Sequence, residues 1–187
     1  NMELWFSEFH TDDVKFSFRV KEELFHTTSE IQEITVLDTV EFGRVLVLDE
    51  CLMLTEKDEF IYHEMITHPA MAVHPNVQDV LIIGAGDGGT LREICRYPFI
   101  KHIDLVEIDE DVITVSKTYF PTLRAGFEDP RVKIHIDDGL AFVRHYEEDY
   151  DLIIVDSTDP FGPGEGLFTR EFYGNCFEAL RDDGILI

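Results

Sequence analysis

The sequence predicts an α/β protein, a doubly wound parallel sheet preceded by a small antiparallel β-domain, and three observations predict it. Val80-Leu81-Ile82-Ile83 runs into the glycine-rich turn Gly84-Ala85-Gly86-Asp87-Gly88-Gly89, and a helical pattern with Leu91, Ile94 and Cys95 on one face follows. That is a buried parallel strand, a tight turn and a crossover helix, the opening unit of a nucleotide-binding sheet. Strand and helix patterns then alternate to the end of the chain, as a parallel sheet requires. Everything before about Glu56 is β-patterned with hairpin-type turns. The expected domains are residues 1–57 and residues 58–187.

In order along the chain, Val14 to Val20 alternates strictly, the period of a half-buried strand. Ile31 to Leu37 and Val45 to Leu48 flank a turn at Glu41-Phe42-Gly43-Arg44 and read as a hairpin, and Leu52 to Leu54 adds a short strand. Asp58 to Val73 is helical in pattern with a kink expected at Pro69, and His74-Pro75-Asn76 ends it. After the glycine-rich unit, Ile103 to Ile108 is a strand and Asp109 to Phe120 a helix, with Val112, Val115 and Tyr119 at helical spacing. Val132 to Ile136 is a third strand, Leu152 to Val155 a fourth, and Phe172, Cys176 and Leu180 mark another helix. Gly184 to Ile187 begins a fifth strand, where the chain stops. A sheet ending there leaves unpaired backbone, so a C-terminal continuation is expected.

Composition narrows the partners. The 187 residues are 44% apolar, enough for one sizeable core, and 39 acidic against 15 basic residues give a net charge of −24. Nucleic acid and anionic membrane demand the opposite sign and are excluded as partners. No apolar run approaches membrane-spanning length and no signal pattern is present, so a cytoplasmic protein is expected. Cys51, Cys95 and Cys176 sit in apolar segments and read as reduced core thiols.

Ligands of such sheets bind beyond the carboxyl ends of the strands, and here those ends carry carboxylates: Asp87, Glu107, Asp138 and Asp156, with Asp159 close behind. Backbone N–H groups at the glycine-rich turn suit an anion. Asp87 planted in it repels a pyrophosphate and attracts a cation, so the ligand expected is a nucleoside carrying positive charge. Glu107, roughly twenty residues past the glycines, stands where a carboxylate accepts ribose hydroxyls. A carboxylate cluster needs a cation or a retained proton. The cation is either divalent or organic: Asp156 and Asp159 offer oxygens to Mg²⁺, but no lysine-bearing phosphate loop accompanies them. His63 and His68 do not form a zinc helix, which needs the two rings four residues apart. No metal is expected.

The stretches Ser29-Glu30-Ile31-Gln32, Phe42-Gly43-Arg44-Val45-Leu46, Glu56 to Glu64, the Gly84–Gly89 turn, Val106-Glu107-Ile108-Asp109, Asp137-Asp138-Gly139, Asp156-Ser157-Thr158-Asp159-Pro160, Gly162-Pro163 and Leu167-Phe168-Thr169 with Phe172-Tyr173 together resemble the spermidine synthase family of polyamine aminopropyltransferases. The resemblance covers essentially the whole chain. It implies a β-domain followed by a Rossmann-like, methyltransferase-type domain, transfer of the aminopropyl group of decarboxylated S-adenosylmethionine to putrescine, no cofactor, and a homodimer. It further implies that Gln32, Glu107, Asp138, Gly139 and Pro163 hold the nucleoside, Glu107 at the ribose and Asp138 at the adenine amine. Asp87 would hold the aminopropyl ammonium, Tyr62, His63 and Asp159 the diamine, and Asp156 would accept the proton. Two positions depart from the family pattern: Ala85 replaces a glycine, read as a small change, and Ile31 stands where an aromatic often precedes the glutamine. The family extends past Ile187, including residues that close the site.

The chemistry suits these residues. A primary amine, with a pKa near 10.4 as in lysine, is protonated at neutral pH and cannot attack carbon until a base takes its proton. A neutral thioether leaves, so neither metal nor oxyanion hole is needed. The rival readings are an S-adenosylmethionine-dependent methyltransferase, whose substrate carboxylate Asp87 would oppose, and a non-catalytic polyamine-binding module, which has no use for Asp156. An NAD-dependent oxidoreductase is opposed by Asp87 as well.

Overall fold

The computed structural model describes residues 2–157 and 162–187. The chain divides into two compact units, Asn1–Glu59 and Phe60–Ile187.

In the first unit, five strands form an antiparallel sheet in sequence order: β1 (Leu4–Thr11), β2 (Val14–Thr28), β3 (Glu33–Thr39), β4 (Arg44–Leu48) and β5 (Cys51–Thr55). Its apolar cluster is Phe18, Leu37, Val45 and Val47, with Phe6, Val20, Phe42 and Leu52 against it. The β3–β4 hairpin falls where the Glu41–Arg44 turn predicts it. β1 escapes the pattern because Trp5 and Phe9 are exposed on an edge strand whose polar and apolar residues do not alternate cleanly. β2 runs past Val20 to Thr28 because two register irregularities, at Val20/Glu22 and Glu23/Phe25, absorb the broken alternation of Lys21 to Leu24. The third strand starts at Glu33, not Ile31, since the Ser29 hydroxyl accepts the N–H groups of Ile31 (3.1 Å) and Gln32 (3.0 Å) and holds that stretch as a turn.

The second unit carries a parallel sheet. α1 (Glu59–Val73) passes through Pro69 and leads to β6 (Asp79–Gly84), α2 (Gly89–Cys95), β7 (His102–Glu107), α3 (Glu110–Tyr119), β8 (Val132–Ile136), α4 (Gly139–Val143), β9 (Tyr150–Asp156), α5 (Arg170–Ala179) and β10 (Leu180–Leu186), with short 3-10 segments at Arg124–Glu128 and Gly162–Phe168. The strand order is β10-β9-β6-β7-β8. Both faces are covered: Val80, Ile82, Leu152 and Ile154 pack on one side with Leu91, Ile94 and Ile113, while Leu81, Ile83 and Ile153 pack on the other with Phe142, Phe172 and Cys176. That two-sided burial is why β6 and β9 read as continuous aliphatic runs. The last strand begins at Leu180, earlier than Gly184. Its polar start hides it: Arg181 is held by Asp79 and by Asp151, each at 2.9 Å.

The connections run outward from β6 to β8 on one side and through β9 to β10 on the other. The strand order therefore reverses between β6 and β9, and the crevice where ligands bind such sheets opens at their carboxyl ends. Among the described residues no helix is long and apolar enough to cross a membrane.

Candidate active site

The turn after β6 is built by close approach. Gly84 takes φ +81°, and a Cβ there would lie 2.0 Å from the carbonyl oxygen of Asp156. Its neighbour Ala85 takes φ +61° and donates its N–H to that same carbonyl at 2.9 Å. Replacement of a glycine by Ala85 is thus a larger change than the sequence suggests, because a left-handed conformation costs a residue with a Cβ about 1–2 kcal/mol. At Gly89 a Cβ would fall 2.1 Å from the His63 ring, so glycine there lets α1 deliver an imidazole to the start of α2.

Asp87 closes the turn by accepting the Gly89 N–H at 2.7 Å, and the same oxygen lies 3.3 Å from His63 Nε2. Asp156, the last residue of β9, is held at both oxygens. Tyr62 OH donates to Oδ1 at 2.9 Å and Thr90 Oγ1 donates to Oδ2 at 2.7 Å. One donor atom each from His63, Asp87 and Asp156 all lie within 4.8 Å of one another. Burial first, then repulsion from Asp87, pushes the Asp156 carboxyl above the ordinary carboxylate range, against the pull of Thr90, His63 and Tyr62. Burial, then the charge of Asp156, pushes the Tyr62 phenol up, so it serves as a neutral donor.

Glu107, at the end of β7, accepts the N–H groups of Gly86 and Asp109, each at 3.1 Å. It is 7% exposed, and burial raises it to about 7 despite those two donors. Asp138 caps α4, taking the N–H groups of Leu140 (2.7 Å) and Ala141 (3.3 Å) on one oxygen. A Cβ on Gly139 would meet Ile83 Cγ2 at 2.4 Å, so this glycine seats α4 on the sheet. Pro163 is half-buried in the 3-10 segment. Gln32 belongs to the first unit and is 7% exposed. Asp159 lies outside the described residues.

Of the predicted residues, the structure therefore brings together Tyr62, His63, Asp87 and Asp156, and sets Glu107 against the same turn. Sequence reasoning missed Thr90. Its signal was a β-branched polar residue on the inward face of α2, beside Leu91 and Ile94. His68 has partners of its own, Tyr97 OH at 2.6 Å and Glu93 at 3.0 Å.

A second group of potential metal donors, His74, Asp151 and Asp183, does not fit a cation. The Asn76 N–H donates to His74 Nδ1 at 3.0 Å, so the ring's proton sits on Nε2 and that nitrogen has no lone pair to offer. Arg181 already occupies Asp151.

A glycine-rich turn at the switch point of a parallel sheet defines a Rossmann-like domain, here with the carboxylates of Asp87, Glu107 and Asp156 gathered about the turn. The family model of the spermine/spermidine synthase domain matches residues 59–187, and that of the spermidine synthase tetramerisation domain matches residues 4–56. Over 186 residues the chain is 60% identical to a polyamine aminopropyltransferase of Lachnoclostridium phytofermentans and 61% identical to one of Clostridium botulinum. The whole of this chain is covered in both cases, and it spans 66% of the length of those relatives. A spermidine synthase crystallised with the transition-state analogue AdoDATO superposes with TM-score 0.95 at 43% identity, covering 98% of this chain and 63% of that one. The spermidine synthase of Thermotoga maritima gives 0.91 at 40% identity, covering 98% and 61%. The chain belongs to the spermine/spermidine synthase family.

Proposed function

We propose that the protein carrying this chain transfers the aminopropyl group of decarboxylated S-adenosylmethionine to putrescine, giving spermidine and methylthioadenosine. The observation that carries the reading is Asp156, fixed at the switch point by Tyr62 and Thr90 and set beside Asp87 and His63. A carboxylate whose affinity for protons is raised by burial is suited to take one from an ammonium. Asp156 takes a proton from the ammonium and so frees the nitrogen lone pair, which forms the bond to the methylene carbon as the carbon–sulfur bond breaks and its electron pair stays on sulfur.

In this reading Glu107 takes the ribose hydroxyls, Asp138 the adenine amine, Gly139 and Pro163 line the nucleoside, and Asp87 pairs with the aminopropyl ammonium. Tyr62, His63 and Asp159 orient the diamine. Neutralisation of sulfur drives the leaving step, so the chemistry calls for no metal or redox cofactor. The match of residues 4–56 to a tetramerisation model supports a homo-oligomer, and a cytoplasmic location suits the substrates.

The test is an assay of the protein with the decarboxylated sulfonium donor and a panel of diamines. Asp156→Asn keeps the side chain's shape but removes the proton acceptor, so turnover is expected to fall about 10²–10⁴-fold while methylthioadenosine affinity holds. A loss under tenfold would remove Asp156 as the base. Methyl transfer from ordinary S-adenosylmethionine would replace the reading altogether.

A further inference from the structure

We propose that Thr90 is a positioning residue for the transfer reaction, fixing the plane of the Asp156 carboxylate and holding it ionised between turnovers. The inference rests on the reading of Asp156 as the base. Thr90 is 0% exposed, and its hydroxyl points across from α2 to β9, donating to Asp156 Oδ2 at 2.7 Å. Thr90 does not serve its own helix: the N-cap of α2 is Gly88, and no side chain caps it. A buried hydroxyl committed to a carboxylate 66 positions away is there for the carboxylate.

Geometry gives the two donors different settings. Tyr62 comes from an exposed position on α1, 52% accessible, and donates to Oδ1. Thr90 is fully enclosed and donates to the other oxygen, Oδ2. With both oxygens tied, the carboxylate cannot rotate about its Cβ–Cγ bond, and orientation of that kind is where much of the rate of a positioned proton transfer originates. Among the described residues the groups facing Asp156 are Tyr62 and His63 from α1, Asp87 from the turn and Thr90 from α2. Asp87 works against ionisation, whereas a hydrogen bond donated to the charged form favours it. Thr90 thus offsets part of the repulsion that Asp87 creates.

The experiment compares wild type with Thr90→Ser, Thr90→Val and Thr90→Ala. The Asp156 carboxyl carbon is followed by carbon-13 NMR across pH, with Asp156→Asn assigning its resonance. Thr90→Val and Thr90→Ala are each expected to move its midpoint upward by about one pH unit, and Thr90→Ser to keep it near wild type. In the transfer assay the first two lose about tenfold in kcat with KM for the diamine little changed, the acid limb of the pH profile moves up with the midpoint, and Ser restores both. Amide spectra report whether each variant is folded, and Ala guards against a clash from Val. An unmoved midpoint in both Val and Ala variants, or equal losses in Ser and Val, overturns the role of Thr90. A wild type that does not transfer the aminopropyl group overturns the functional reading instead, a result the carboxyl titration is independent of.

Discussion

At Glu107 burial couples charge to stability. Burial raises its folded-state pKa to about 7 from an ordinary 4.5. Its contribution to stability is therefore complete below about pH 4.5 and is lost as pH rises through 7. Melting curves from pH 5 to 8 are expected to show wild type losing stability relative to Glu107→Gln across that window; parallel curves would contradict the raised pKa. In the proposed role ribose hydroxyls donate to the ionised form, so methylthioadenosine should bind more weakly at pH 5.5 than at pH 8, with proton release on binding. Calorimetry in buffers of different ionisation enthalpy reads that release, and Glu107→Gln should bind weakly at both pH values. At Asp87 the expected outcome is discrimination. Asp87→Asn should lose about tenfold to a hundredfold in affinity for the decarboxylated donor and narrow its advantage over S-adenosylmethionine, measured by thermal shift with both ligands. Carboxylates at strand ends are legible in a sequence because strand ends are. Thr90 was not, because its partner is brought to it by folding alone.

Among the elements, the β6–α2 turn concentrates the constraints. The left-handed φ of +61° at Ala85 predicts that Ala85→Gly stabilises the chain by about 0.5–1 kcal/mol, read as a rise in melting temperature. Gly89→Ala should do the reverse and displace His63, since the new methyl would fall on the imidazole. A nitrogen-15 spectrum of the His63 side chain that is unchanged by Gly89→Ala would contradict that packing. Parallel strands were readable because burial on both faces writes them as aliphatic runs. β1 and the start of β10 were not, because an exposed edge strand and a strand opening on Arg181-Asp182-Asp183 carry no such run. The turn's glycines were visible in sequence, but not which neighbour each one admits.

At the scale of the whole chain, the proposed function predicts that the net charge of −24 draws in a dicationic acceptor before contact. The Debye length shortens from about 10 Å at 0.1 M salt to about 3 Å at 1 M. kcat/KM for the diamine should fall several-fold over that range while kcat changes little. A monoamine analogue, which carries one positive charge instead of two, should fall less, and an equal fall would assign the effect to salt rather than to charge. The alternation of strand and helix was legible from Asp79 onward, whereas the order β10-β9-β6-β7-β8 was not, since the alternation does not say on which side of β6 each strand is added. The joining of Tyr62 to Asp156, 94 positions away, was not, since nothing local in either segment specifies the other.

Gly84 and Asp156 are register partners in neighbouring strands, and the next N–H, that of Ala85, bonds the Asp156 carbonyl. The turn that carries Asp87 and the strand end that carries Asp156 are thereby tied by a rung of the parallel sheet, not by a hinge. Thermal breathing that separates them has to break the sheet itself. The Ala85 amide should accordingly rank among the slowest to exchange with deuterium, opening only when the unit as a whole unfolds.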